Sequence, residues 1–531
     1  MTFKPLPADP RVSPFAGMDV RTLFDIHAEA RADHPFLIWE PFEGEGARWG
    51  YRAFRDRIAR FAAGLHARGV VAGDRVLVHL DNCPEAVIAW FGCAWLGAVA
   101  VTTNARSSAD ELSYFAGHSR ARGGVTQPRF AELVARACPD LDWLAVTDTD
   151  NGEAPQAGAP ESGARFEALD GDPADLPPRA ADPFAPFAIQ YTSGTTSRPK
   201  AVLWTHANAL WGARVCAIHE DLRPDDVHLT HLPLFHTNAQ AYSVLAALWV
   251  GATCVIQPKF SASRFWPASL KHGCTWTSMV PFCLKALMRQ PKPERHGYRL
   301  WGNAVCAPPT DAHFGVKTVG WWGMTETIAH GIVGSPHLPD APMSMGRAAP
   351  EYEIRVVDEE GRGVAPGQVG DLQIRGVRGL SLFTEYLDDP AATAEAFGPD
   401  GFFLTGDRVR RDDRGFLFFA DRSKDMLKVG GENVAASEIE RVIASTPGVE
   451  EVAVVGRRHP MLDEAPVAFV LPRGGIAGAA PDLVEQVIGA CAVQLAAFKV
   501  PHEVRLVDSL PRATLEKVAK ARLRAELEAE A

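Results

Sequence analysis

"YTSGTTSRPKA", Tyr191 to Ala201, stands between the apolar runs "FAIQ" and "AVLW". Glycine and five serine or threonine hydroxyls leading to a lysine is a composition suited to holding phosphate. In the commonest phosphate loop, GxxxxGK[ST], a strand opens into a helix whose amides cradle the anion and whose last hydroxyl holds a metal. Gly194 and Lys200 have that separation, but Pro199 takes the place of the second glycine and Ala201 that of the hydroxyl. The "AVLWTH" after the lysine has strand character, so the stretch predicts a loop joining two strands. Thr192, Ser193, Thr195 and Thr196 supply hydroxyl donors, and Gly194 lets the backbone approach an anion with no Cβ in the way. Taken alone, the cluster also fits a polar hairpin turn.

A chain of 531 residues exceeds what one hydrophobic core organises and predicts about three or four domains or subdomains. With 47% hydrophobic and 22% charged residues of mixed sign, it has an ordinary globular composition. A net charge of -11 with no offsetting basic block argues against a general nucleic-acid or membrane-surface binder. The nine cysteines show no CxxC pair and no repeated spacing, so a reducing, cytoplasmic setting is expected. The first twenty residues lack the apolar core of a secretory signal. The uncharged runs 86–101 and 241–256 fall short of the ~20 residues that span a bilayer. They are expected to be buried helices turning at Gly97 and Gly251 into strands.

Those runs end alike, "WLGAVAV" at 95–101 and "WVGATCV" at 249–255. Each predicts helix, glycine turn and strand, the elementary step of an open α/β sheet, and the repetition points to two related α/β halves. Thr147 to Ala185, rich in Gly, Pro, Asp and Ala, predicts a surface connection. The alternating stretch 352–376 predicts β-hairpins, and "SEIERVIASTPGVEEVAVVG" an amphipathic helix followed by a strand. The expected fold is α/β: a large N-terminal domain over 1–421, with two α/β subdomains and a β-rich one, then a small α+β C-terminal domain over 422–531.

The form "TSGTTSRPKAV" resembles the phosphate-binding signature of the adenylate-forming superfamily, and Ser197 places it nearest the branch of crotonobetaine and carnitine CoA ligases. The other motifs follow in order along nearly the whole chain. In "GWWGMTET" (320–327) the resemblance assigns Thr325 to the AMP phosphate and Glu326 to magnesium, an ion that prefers oxygen ligands. Trp322 stands where the family has a tyrosine whose ring lies on adenine, and an indole still stacks. In "GFFLTGD" (401–407) it assigns Asp407 to the ribose hydroxyls, a task for a two-oxygen acceptor. In "DRSKDMLKVGGEN" it assigns Arg422 to the same ribose, Lys424 to a hinge at which a mobile C-terminal lid turns, and Lys428, Gly430 and Gly431 to the coenzyme A side. Outside the family, the same residues read as a capping box at Glu326, a turn aspartate at Asp407 and a tight turn at Gly430 and Gly431.

"PLFH" (233–236) resembles the motif beside the acyl pocket and makes His236 a substrate-side candidate, with Asn238, Gln240, Gly302 and His330. His228, His231 and His236 do not form a convincing metal set, because the segment is extended and residues three apart point to opposite faces. Trp249, Trp276, Trp301 and Trp321 lie in or near the pocket segments, so a quaternary-ammonium acid held by aromatic faces is one option and core tryptophans another. "LPRATLEKVAKARLR" (510–524) resembles the motif carrying the adenylation lysine, Lys517. Glu516 replaces the family's glycine there, and an i,i+4 pair of Glu516 with Lys520 would make Lys517 a surface-helix residue.

The resemblance implies an AMP-forming acyl-CoA synthetase, an acid–thiol ligase: a carboxylate attacks the α-phosphorus of ATP, Thr192 and Lys200 hold the leaving pyrophosphate, magnesium spreads charge, and coenzyme A then displaces AMP. The alternatives are an adenylating enzyme that loads a carrier protein or an amine, and an inactive nucleotide-binding homologue, for which Ser197, Trp322 and Glu516 speak. The implied partners are a small carboxylate, ATP and coenzyme A, with no nucleic acid, no transmembrane segment and room for a homodimer.

Overall fold

A computed structural model describes residues 13–148, 164–192, 199–358, 360–422, 426–511, 518 and 520–530. The chain divides into two compact units. The larger takes in most residues before Asp421; the smaller comprises Arg106–Tyr114, Thr192–Lys200 and Arg422–Ala531.

Two α/β sheets dominate the larger unit, as the repeated helix–glycine–strand step predicts. In the first, Pro186–Thr192, Val99–Thr102, Arg75–His79, Ala121–Thr126 and Trp143–Val146 run in that spatial order, with Lys200–Thr205 and then Glu385–Tyr386 on the Pro186–Thr192 side. In the second, Lys317–Trp322, Leu300–Asn303, Trp276–Ser278, Val227–Thr230, Thr253–Ile256 and Pro35–Trp39 lie side by side and parallel. The helix Pro84–Leu96 ends at Gly97 with φ 86° and passes into Val99–Thr102. The helix Ala246–Val250 ends at Gly251 with φ 78° and passes into Thr253–Ile256. Both turns need the left-handed backbone that glycine adopts without penalty. Pro84–Leu96 is apolar all round and almost wholly buried, which is why its sequence resembles a membrane segment. No helix among the described residues is long and apolar enough to cross a membrane.

The hairpins expected over 352–376 are the strands Glu353–Val357 and Val369–Arg375, extended by Phe403–Arg411 and Leu417–Arg422 into a four-stranded antiparallel sheet. The stretch "TSGTTSRPK" does join two strands, Pro186–Thr192 and Lys200–Thr205, and the helix His206–His219 starts only after the second.

The smaller unit is built on a five-stranded sheet. Its hairpin Met426–Val429 and Glu432–Ala435 turns on Gly430 and Gly431, with φ 59° and 86°, the two left-handed residues of a two-residue turn whose twist suits the strands. The helix Ala436–Ala444 and the strand Val449–His459 follow as predicted, and with Leu483–Gln494 they bury Val442, Ile443, Val454, Val487 and Cys491. Lys499 is held between Glu438, at 2.9 Å, and Glu111. The two carboxylates offset the cost of burying its charge.

Candidate active site

Four of the motif residues named from the sequence converge in the larger unit. The strand Lys317–Trp322 delivers Trp322, and Phe403–Arg411 delivers Asp407. The Trp322 indole N–H donates to Asp407 Oδ2 at 2.8 Å, with both side chains buried. A bond of this kind fixes the orientation of the carboxylate. The resemblance assigns Trp322 only a stacking role, and the structure adds a donor that a phenylalanine could not supply.

Glu326 follows in a single 3₁₀ turn, Thr325–Thr327. Its carboxylate is buried, and Oε1 accepts a hydrogen bond from the Tyr386 hydroxyl at 2.9 Å. Tyr386 sits there because Glu385–Tyr386 pairs antiparallel with Lys200–Thr205, register Tyr386 to Val202. Burial and the Glu326 charge push the Tyr386 phenol far above its usual value, so it remains a donor. Thr325 is pinned through its carbonyl, which accepts from the Trp204 indole at 2.9 Å.

A buried polar network ties this turn to the strand that leads into the glycine-rich loop. Thr237 Oγ1 hydrogen-bonds Thr325 Oγ1 at 3.1 Å and Gln190 Oε1 at 3.0 Å. The Gln190 amide donates to Gln240 Oε1 at 2.8 Å, and the Gln240 amide donates to the Leu234 carbonyl at 2.7 Å. Gln190 was missed from the sequence. Its one signal was an amide inside the apolar run "FAIQ", where an unpaired polar group is costly. Beyond it, Thr192 Oγ1 lies 3.5 Å from the Lys200 carbonyl, and the Tyr114 hydroxyl donates to the Pro199 carbonyl at 3.1 Å.

The acid-side candidates form a second group. His236 caps the short helix Thr237–Ala239, which widens into a π-helical turn over Gln240–Leu245, a distortion found often at functional sites. Asn238 is half-buried on the same helix. Gly302 lies against the Trp321 ring so closely that a Cβ would come within 1.6 Å of it, so this position admits only glycine. His330 is fully buried, stacked on Trp321 with ring centroids 4.4 Å apart and 4.1 Å from the Tyr242 ring. Of the four tryptophans, Trp276 and Trp321 stack on each other at 5.8 Å. Trp301 packs among Phe265, Trp266, Tyr298 and Phe314 as a core residue, and Trp249, partly buried, packs on Phe15 at the core's edge.

His228 and His231 lie apart in aromatic surroundings, on Trp276 and on Phe260 and Phe265, and burial pushes both down to about 3. The described group with metal-ligand spacing is instead Cys216, Glu220 and His330. Lys428, exposed on the strand Met426–Val429, donates its backbone N–H to Glu464, beside the Gly430 and Gly431 turn. Ser193, Gly194, Thr195, Thr196, Lys424, Lys517 and the Arg422 side chain lie outside the described residues.

A family model described as AMP-binding enzyme matches residues 24–387, and one described as AMP-binding enzyme C-terminal domain matches 438–517. The chain is 36% identical over 522 residues to a crotonobetaine/carnitine–CoA ligase of Citrobacter koseri, covering 96% of this chain and 99% of that one. It is 36% identical over 521 residues to the protein of that name from Proteus mirabilis, covering 95% and 98%. Among solved structures, ATP-bound MatB from Rhodopseudomonas palustris superposes with a TM-score of 0.68 at 27% identity, over 96% of this chain and 99% of that one. An o-succinylbenzoate CoA synthetase from Bacillus subtilis shares the fold with a TM-score of 0.79 at 24% identity, over 95% and 97%.

Proposed function

Since this chain belongs to the AMP-binding enzyme family and is an AMP-forming acyl-CoA synthetase, we propose that its acid is a short carboxylate ending in a quaternary ammonium. What supports this is the likeness, over 96% of the chain, to proteins named crotonobetaine/carnitine–CoA ligase. The aromatic surroundings of His330, Tyr242 and Trp321, agree with it, since aromatic rings attract cations that offer no N–H.

In our reading of the first half-reaction, the acid's carboxylate attacks the α-phosphorus of ATP and pyrophosphate leaves. Thr192 through Thr196 and Lys200 hold the outer phosphates. Thr325, positioned by Thr237 and Trp204, donates to the α-phosphate. Asp407, oriented by Trp322, accepts from the ribose hydroxyls, with Arg422 as a second ribose partner. The donor set at Glu326, a buried carboxylate held by Tyr386 with hydroxyls nearby, fits a hard divalent cation. Magnesium, when bound, offsets charge on the phosphates. Lys517 supplies a further cation where two anions must meet. In the second half-reaction the coenzyme A thiol displaces AMP. Lys428, Gly430 and Gly431 are the proposed coenzyme A side, Lys424 the hinge between the half-reactions, and 1–421 and 422–531 the two functional domains.

A panel of acids scored by pyrophosphate release with coenzyme A tests the substrate. Carnitine, crotonobetaine and 4-(trimethylammonio)butyrate should outrank short fatty and aromatic acids; equal rates across the panel overturn the proposal.

A further inference from the structure

Glu220 closes the helix His206–His219, and it is the least expected side chain in the larger unit. Its carboxyl is fully buried, and neither oxygen has a hydrogen-bond partner among the described residues. Opposite it, His330 Nε2 stands 3.9 Å from Oε1, and neither His330 nitrogen has a partner either. Cys216, one helical turn earlier, completes a buried group whose ligand atoms lie within 4.8 Å of one another. The backbone is satisfied, because the Glu220 carbonyl accepts from the Trp276 indole at 2.9 Å. The deficit is therefore confined to side chains. Proteins rarely leave a buried carboxyl and a buried imidazole unsatisfied, and a ligand that satisfies them is the physical reason to keep them.

Three segments that carry the acid-side candidates meet here. Tyr242 belongs to the π-helical turn beyond His236, the Trp321 ring covers Gly302, and His330 stands five residues beyond Thr325. Trp321, Tyr242 and Trp276 give the group aromatic walls. An acid whose carboxylate reacts beside Thr325 would direct its other end along these segments toward Glu220.

We infer that Glu220 is the specificity-determining counter-anion for a cationic end of the acid, with Tyr242 and His330 as the aromatic side chains beside that cation. This rests on the betaine reading above and deepens it. Burial pushes the Glu220 carboxyl well above the usual carboxylate range, which favours its neutral form until a cation takes its place and the proton passes to solvent. The groups that face it do not titrate near neutrality. Burial, with His219 adding to it, drives His330 well below its usual value, and burial drives Cys216 and Tyr242 well above theirs. His219 itself bonds Glu351 at 3.0 Å.

The test compares 4-(trimethylammonio)butyrate with 5,5-dimethylhexanoate, its neutral isostere with carbon in place of nitrogen, in wild type and Glu220→Gln. Wild type should favour the cationic acid by at least ~10-fold in kcat/KM, and Glu220→Gln should erase that preference. The wild-type KM for the cationic acid should fall as pH rises from 6 to 8, by up to ~10-fold per pH unit, while that for the neutral acid does not follow it. The pH profile needs no variant, so it stands even if Glu220→Gln folds poorly. A wild type with no preference overturns the betaine reading and this inference together. A preference that survives in Glu220→Gln, or parallel pH profiles for the two acids, overturns the role of Glu220 alone. One transition metal per chain, lost in Glu220→Gln, would make Cys216, Glu220 and His330 a metal site and overturn it too.

Discussion

The groups proposed for the nucleotide and for the acid are both buried and both rich in polar atoms, yet they are wired oppositely. Around Trp322, Thr325 and Glu326, hydrogen bonds link to Asp407, Trp204, Tyr386 and Thr237, all remote from them in sequence. Around Glu220 and His330 the side-chain bonds are missing among the described residues. A site that must place the same triphosphate in every turnover gains from preorganisation. A site that must tell one acid from another gains from a group whose deficit only the right ligand removes.

The largest effect that separates the two should come from the nucleotide side. Lys517→Ala is expected to slow adenylate formation at least ~10²-fold, the scale of losing one transition-state cation, and to spare thioester formation from supplied acyl-AMP. Single-turnover kinetics of each half-reaction measure this, and near-equal rates would return Lys517 to a surface-helix role.

Trp322→Phe keeps an aromatic ring and removes the donor to Asp407. A hydrogen bond to a charged group contributes about 1.5–3 kcal/mol, so the KM for ATP should rise roughly 10-fold or more while the ratio between two acids stays put. A change in acid selectivity would show that the two groups are not separable.

Stability sharpens the contrast further. Tyr386→Phe takes a partner from Glu326 and should cost about 1–2 kcal/mol, seen as a lower Tm. Glu220→Leu removes an unpaired buried carboxyl of similar volume and should stabilise the fold by at least about 1 kcal/mol, seen as a higher Tm. Its sign with pH follows from linkage. The folded value of Glu220 is raised, so between the unfolded and folded values the native state holds a proton that the unfolded chain has lost. Wild-type stability then falls as pH rises, by up to about 1.4 kcal/mol per unit, and the advantage of Glu220→Leu widens. An advantage that shrinks with pH would mean Glu220 is ionised and paired.

What the sequence disclosed follows the same division. Local signals carried the helix–glycine–strand steps at Gly97 and Gly251, the two strands that flank Gly194, the Gly430–Gly431 hairpin and the motifs that hold Trp322, Thr325, Glu326 and Asp407, because each is written in consecutive positions. The couplings were not legible: Trp322 reaches Asp407 across 85 residues and Tyr386 reaches Glu326 across 60, and only the fold sets such pairs. Glu220 did carry one unheeded mark, an acid at the C-terminus of an apolar helix, where the helix dipole disfavours negative charge. The π-helical turn over Gln240–Leu245 left no comparable trace in "QAYSVL".

The most direct test of the whole account follows oxygen. With the acid's carboxylate labelled with ¹⁸O, attack on the α-phosphorus followed by thiol displacement must leave one labelled oxygen in AMP and none in pyrophosphate. Label appearing in orthophosphate alongside ADP, or AMP free of label, would contradict it.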